Sequence, residues 1–325
     1  MLFYILRRIA TAISVIIVTI IASFALFFLA PTNPANLICG PHCTPQRLAD
    51  IKSSLGLNQP PVEQIALYMK GIVAGRDYDN GGVRTHCSAP CLGYSYVFGQ
   101  PVTKLLAQAL PVTLSIVIGG GVIYLVVGVI SGTIAAQIRG STLDRLTVGT
   151  TLVVYSVPYF VVALLVALYL NFLPTSQWVP LDKNPLQWAA GLTAAWLTLG
   201  LTNATAYTRY SRASMIESLN QDFVRTARSK GISRRRVVYR HGLRAALTPV
   251  ITIFGVDLAF QFTNTIFTET IFSLPGIGLQ TLRAFNQEDL PVLLGGVLVG
   301  SVVLVLMNLI VDLLYTVLDP RVRLG

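Results

Sequence analysis

Six long apolar stretches fix what this chain can fold into. They run over about 9–30, 105–137, 146–173, 186–207, 249–272 and 292–318. A helix needs ~20 mostly apolar residues to cross a membrane, and each stretch supplies them. In hydrocarbon a backbone must satisfy its own hydrogen bonds. The expectation is therefore an all-α integral membrane protein with six transmembrane helices. The second and third stretches are over-long, so part of each must tilt or project. Charged residues are 12% of the chain, against roughly 25% in soluble domains. That excludes a cytosolic enzyme and a disordered chain. The net charge of +10 would suggest nucleic acid on a soluble face. Here the basic residues lie between apolar runs, so no nucleic-acid partner is expected.

Arg7 and Arg8 before the first stretch resemble a signal-peptide n-region. The apolar part exceeds the roughly 7–15 residues of such a segment, and no clean cleavage site follows, so an uncleaved helix is expected. Basic residues then set orientation. Arg139 and Arg145 flank the turn after the second stretch, ten more run from Arg209 to Arg244, and Arg321 and Arg323 close the chain. With six spans, all these places fall on one side, which the positive-inside bias makes cytoplasmic. Both termini are then cytoplasmic, and the 31–103 loop is extracytoplasmic.

That loop holds all four cysteines: Cys39, Cys43, Cys87 and Cys91. Outside the cytoplasm thiols oxidise, so two disulfides are expected, in any of three connectivities. His42 and His86 beside the two C-x3-C pairs leave a metal site as the weaker alternative. Thr44-Pro45 starts a predicted helix over 45–55, stopped by Gly56, and a second is predicted over 61–73, ended by Gly75. Asn80-Gly81-Gly82 signals a turn. Such an ordered loop is a docking surface or a plain lid.

The chain has three histidines, His42, His86 and His241. It has no H-x-x-x-H, no G-x-S-x-G and no Walker lysine loop. No catalytic residue, resident metal or cofactor is expected. Within the fifth stretch, Asp257, Gln261, Asn264 and Thr268 follow helical spacing and should share one face. That face lines a water-accessible path or bonds neighbouring helices. Asn308 and Asp312 repeat the spacing on the last stretch, where structural pairing is expected. Gly128/Gly132 and Gly296/Gly300 mark close helix approach, and Pro158 should kink the third helix.

The segment 220–231 predicts a helix of about ten residues outside the membrane. Asn220 would cap it, Asp222 suits its positive end, Lys230 its last turn, and Gly231 stops it. Ser233 would cap the next helix. Phe223, Val224 and Ala227 form a small apolar face, with Arg225 and Arg228 polar. Ala227 and Gly231, four apart, would allow close approach. So short a helix needs a surface to rest on, either anionic lipid or a groove in a cytoplasmic protein.

These landmarks resemble the permease subunits of binding-protein-dependent ABC importers of the dipeptide/oligopeptide and nickel type. The family's E-A-A-x3-G appears as Arg225-Thr-Ala227-Arg-Ser-Lys-Gly231, without the leading Glu, followed by His241-Gly-Leu-Arg-Ala-Ala-Leu-Thr-Pro249. Leu29-Ala-Pro31-Thr-Asn-Pro34-Ala35, Leu55-Gly-Leu-Asn-Gln-Pro60-Pro-Val62, Gly93-Tyr-Ser-Tyr96, Pro101-Val102 and Pro111-Val-Thr-Leu114 match in order. So do Ser156-Val-Pro158-Tyr-Phe160, Thr268-Glu269-Thr-Ile-Phe272-Ser-Leu-Pro275-Gly276-Ile-Gly278 and Asp289-Leu-Pro291-Val292. The chain departs from the family pattern in the stretch 76–92, which looks inserted, in Cys39 and Cys43, and in Asp257, Phe260 and Gln261 where small residues are usual.

The resemblance implies a type I ABC importer permease fold in a prokaryotic cell membrane. Helix 1 would occupy 1–30, the loop 31–103 and the remaining spans 104–325, with a cytoplasmic coupling segment at 208–247. It implies a non-enzymatic half-pore for di- or oligopeptides, completed by a second, similar permease. Two ATP-binding subunits, or one fused ATPase, would bind below, and an extracytoplasmic binding protein would deliver substrate. Related systems carry nickel, glutathione or haem instead. The coupling contacts would be Asp222, Phe223, Val224, Arg225, Ala227, Arg228 and Gly231. The alternative is an ion-coupled secondary transporter using Asp257 or Glu269, although the chain lacks the internal repeats usual there.

Overall fold

The computed structural model describes residues 2–28, 35, 44–55, 58–80, 83–170 and 172–318. Cys39, Cys43, His42, Gly56, the Gly81-Gly82 tip, Arg321, Arg323 and the Pro31–Pro34 part of the first motif lie outside these residues, as does the Asp312 side chain.

The helices are α1 (Leu2–Phe28), α2 (Pro45–Leu55), α3 (Pro61–Ala74), α4 (Val102–Gln137), α5 (Thr142–Ser156), α6 (Tyr159–Tyr169) and α7 (Pro185–Leu219). After them come α8 (Asp222–Ser229), α9 (Arg234–Asn264), α10 (Ile266–Ile271), α11 (Ile277–Asn286) and α12 (Leu290–Leu318). α2 and α3 fall where the sequence puts them, and α3 ends on Gly75 at a φ of 78°.

Among the described residues, α1, α4, α9 and α12 are long and apolar enough to cross a membrane. Three of the six expected spans depart from simple helices. The third is not one kinked helix: α5 and α6 meet at 90°. Val157 is extended, as a residue before proline tends to be, and Pro158 caps α6 instead of bending a continuous rod. The fourth, α7, does not reach the same apolarity. The reason is its position. α7 packs against α5, α6 and α9, and Leu192, Ala195, Thr198, Leu199, Tyr207 and Met215 along it are buried. A helix enclosed by protein needs small residues for close approach, not a lipid-matched surface. The fifth starts well before Pro249, passes through a π-helical turn at Val237–Gly242, and breaks at Thr265 before α10.

The chain divides into two compact units, Met1–Thr113 with Pro275–Leu306, and Leu114–Leu274 with Met307–Gly325. The first unit corrects the all-α expectation. β1 (Arg76–Asn80) and β2 (Val83–Cys87) form an antiparallel hairpin with Tyr78 opposite Thr85 and Arg76 opposite Cys87. β3 (Tyr94–Ser95) pairs with β4 (Gln100–Pro101). Tyr78 and Cys87 point inward while Asp77 and His86 stay outside, the period-two pattern of a half-buried strand. Here a core of Ile51, Tyr78, Cys87, Cys91, Tyr94 and Tyr96 forms. A second cluster joins Ile20, Phe24 and Tyr68 to Leu294 and Leu298 of α12.

In the second unit the glycines of α4 set the packing. A Cβ at Gly128 would lie 2.3 Å from the Tyr207 Cβ, and one at Gly132 2.5 Å from the Thr208 carbonyl oxygen. Only glycine lets α4 approach α7 this closely. Buried hydroxyls on α7 bond back one turn, as in Thr208 Oγ1 to the Ala204 carbonyl at 2.7 Å. The outside of α5 and α6 is apolar and open, with Leu146, Val153, Leu165 and Leu168 each more than half exposed. In water such a belt would be an aggregation hazard; against lipid or a partner helix it is not.

Candidate functional site

The basic segment builds its short helix from local rules. α8 begins after Gln221, which makes no side-chain cap, and Asn220 terminates α7 instead of starting α8. Asp222 stands in the first turn and Arg228 in the last, complementing the helix dipole. At the other end Gly231, at a φ of 73°, donates to the Arg228 carbonyl at 3.0 Å, and Ile232 donates to Ala227 at 3.3 Å. This pair of bonds closes a Schellman motif, with Ile232 folding back on Ala227. Ser233 occupies the capping position of α9 without a side-chain bond.

The apolar face differs from the expected one. Val224 and Ala227 are buried against Val237, Leu219 and Ile232, whereas Phe223 is 44% exposed. Ala227 therefore serves the chain's own packing, and nothing crowds Gly231, whose requirement is its positive φ. The open edge of α8 carries Asp222, Phe223, Arg225 and Arg228, with Thr226 and Ser229 also exposed. The Arg225–Asp222 pair, 3.6 Å apart and exposed on both sides, contributes little. A cleft of about 500 Å³ beside α8 gathers Arg139, Arg228 and Arg234 with Gln137 and Asn220. This end of the unit is held by Ser218 Oγ donating to the Gly242 carbonyl at 2.8 Å and Ser214 Oγ to Ala246 at 2.8 Å.

The four polar residues of the fifth stretch do not form one open stripe. Asp257 and Gln261 are half-buried on α9, Asn264 is exposed at its end, and Thr268 is fully buried on α10, beyond the break at Thr265. Thr268 Oγ1 pairs with Tyr159 Oη at 2.7 Å. Asp257 Oδ2 accepts from Tyr207 Oη at 2.7 Å. Glu269 is buried on α10. Asn308 is exposed on α12.

Sequence reading missed two contacts. Arg212 binds Asp144 with both fork nitrogens, at 2.6 and 2.7 Å, while Asp144 also accepts from the Gly140 amide at 2.9 Å. This joins α5 to α7 through a planar, charge-assisted pair. The partners stand 68 residues apart, and no spacing rule links them. Tyr207, at the edge of its apolar stretch, gives no local sign that it serves Asp257.

In the first unit Cys87 and Cys91 are joined as a disulfide. His86 Nδ1 lies 2.6 Å from Asp77 Oδ1 across the hairpin, and no cluster of three metal-ligating groups occurs among the described residues. Ser95 donates to the Asp289 carboxylate, and both are fully buried. Burial pushes the Asp289 pKa up, against the lowering effect of its bonds from Ser95 and the Val292 amide.

Residues 1–117 match the N-terminal part of binding-protein-dependent transport system membrane components. Residues 125–324 match the binding-protein-dependent transport system inner membrane component. Over 351 aligned positions the chain is 33% identical to a dipeptide transport system permease protein of Escherichia coli, covering 99% of each chain. A protein of the same description from Alkalihalophilus pseudofirmus is also 33% identical, with 99% of this chain and 100% of the relative covered. A Brucella abortus protein named for a peptide transport system permease is 35% identical over 323 residues, 98% of each.

Proposed function

This chain belongs to the inner membrane components of binding-protein-dependent transport systems, and from that premise we propose that it forms half of the translocation path of an ATP-driven peptide importer. The cargo is di- or oligopeptides delivered by an extracytoplasmic binding protein. The six stretches are six spans, with the α5–α6 pair and α7 each counted as one. Helix 1 (1–30), the loop (31–103) and the core (104–325) divide the chain. Both termini and the segment 208–247 face the cytoplasm, and the loop faces outward, offering its hairpin region to the binding protein. A second, non-identical permease completes the pore, and two ATP-binding subunits or one fused ATPase dock beneath.

α8 is the coupling element. The observation that carries this is its two-sidedness: Val224 and Ala227 hold it to the chain, while Phe223, flanked by Asp222, Arg225 and Arg228, stays uncovered. A half-exposed aromatic among charges is the composition of an interface anchor. Closure of the ATPase on ATP would displace α8. Its short attachment to α7 and to the π-turn of α9 passes the displacement to helices that contain Asp257 and Tyr207. Such a switch needs two discrete arrangements biased by nucleotide, with no chemistry in this chain.

The test is Phe223→Asp in the complete transporter, reconstituted in proteoliposomes with its ATPases and loaded binding protein. Uptake should fall about tenfold or more, as expected for loss of an aromatic anchor. The thermal unfolding midpoint should hardly move. Undiminished uptake would remove α8 from the coupling path.

A further inference from the structure

The 257–268 polar groups separate by what they already bond. The Asn264 side-chain amide donates to the Phe260 carbonyl of its own helix at 2.9 Å. Thr268 is closed off with Tyr159. Asp257 and Gln261 remain. They stand four residues apart on α9, so about 6 Å along its axis and on one side. Gln261 makes no side-chain hydrogen bond among the described residues, and no Lys, Arg or His there pairs with Asp257.

The single bond to Asp257 comes from a neutral donor, Tyr207 Oη, leaving the carboxylate's charge uncompensated. That donor is rigidly held. Tyr207 is 2% exposed, its ring lies 4.7 Å from the Tyr124 ring and 6.2 Å from that of Phe254, and Gly128 packs on its Cβ. Tyr207 therefore fixes where the carboxylate points. A carboxylate within an apolar span is expensive unless a cation answers it. Among the described residues no side chain supplies that cation, and a peptide in transit can. A resident metal ion is a poor fit, since one carboxylate and one amide fall short of a cage and no cluster of three ligating groups is present among the described residues. A primary ammonium attached to an amide backbone fits both groups at once.

We propose that Asp257 and Gln261 form a subsite for the N-terminal ammonium of the peptide in transit, the carboxylate taking the charge and the Gln261 amide, one turn along, taking the first peptide group. This rests on the peptide-importer reading and deepens it. Tyr207 is a positioning residue that holds the carboxylate.

The test uses the assembled transporter carrying Gln261→Cys, with alkylation at residue 261 by N-ethylmaleimide followed by mass spectrometry. Alanylalanine should slow alkylation several-fold and N-acetyl-alanylalanine should not. Asp257→Asn should abolish the protection, and Asp257→Glu should restore part of it. On the Gln261 background, Asp257→Asn should lower uptake about tenfold, the equivalent of about 1.4 kcal/mol, with ATPase stimulation by loaded binding protein retained. Equal protection by the free and acetylated peptides would overturn the proposal. So would loss of the second permease during purification of Asp257→Asn, because the carboxylate would then be answering a cation at the subunit interface. Absence of ATP-driven peptide uptake by the wild-type assembly would overturn the peptide-importer reading, and this subsite with it.

Discussion

The two polar regions between the long helices, residues 76–101 and 220–242, are anchored in opposite ways. The hairpin region is held by a buried core that it shares with Ile51 of α2 and by the bond from Ser95 to Asp289. Tyr94 lies 5.7 Å from Tyr78 and 5.1 Å from Tyr96, ring to ring. The Cys87–Cys91 disulfide sits in the same core, and the Leu92 amide and Pro90 carbonyl are both bonded by Thr103 Oγ1. Aromatic rings each bury on the order of 150–250 Å², so this cluster alone resists local opening. Within the basic segment, α8 itself rests only on Val224 and Ala227, packed against Val237, Leu219 and Ile232. Elements that move in a mechanism come from the weakly held end of a structure, because their displacement costs little. The hairpin region is built to stay in place; α8, on the coupling role proposed for it, is the part that would be moved.

Three substitutions can break or sharpen that contrast. Tyr94→Ala should destabilise the hairpin region by about 3–5 kcal/mol, the range for truncating a buried aromatic. Hydrogen exchange over 76–101 should accelerate accordingly; unchanged protection would mean that the aromatic cluster is not what closes the region. Replacing both Cys87 and Cys91 by serine should cost about 2 kcal/mol, small because the closed loop is short. The bonded residues are separated by only 4 positions. Comparing the thermal unfolding of the double variant with that of the wild type, both without reductant, reads this difference. Val224→Ala should cost about 1.5 kcal/mol, since it removes two buried methyl groups at about 0.8 kcal/mol each. It should raise the rate of trypsin cleavage between 225 and 240 while leaving the global unfolding midpoint nearly unchanged. A fall in that midpoint would show α8 to be integral to the core and not a lever resting on it.

Much of this architecture was legible in the sequence because the signals are local. The apolar runs locate the long helices, proline starts α2 and α3, Gly75 ends α3, and Gly231 ends α8. The strands escaped because β1 and β2 carry five residues each, several of them charged. Their inward alternation rests on Tyr78, Thr85 and Cys87, too few to stand out from a loop. The apolar face of α8 was drawn too wide. Adjacent Phe223 and Val224 point about 100° apart on a helix, and which of them is covered depends on where α9 passes. Of the two roles open to the polar residues from Asp257 to Thr268, bonding to neighbouring helices is what Asp257 and Thr268 show, and the shared face does not extend to Thr268 because a period is meaningful only along an unbroken helix and this one breaks at Thr265.

Hydropathy and helix-end chemistry thus settled that this is a chain of membrane helices, where α2 and α3 begin, and where α3 and α8 stop, because each such rule acts within a few residues. Only the folded structure decided which polar groups are already satisfied. Arg212 reaches Asp144, and Tyr207 reaches Asp257, across long intervals of chain. Burial also overruled hydropathy for α7, whose enclosure among other helices removes the need for an apolar exterior. Such pairings depend on which helices become neighbours, a property of the packed bundle that no local window contains.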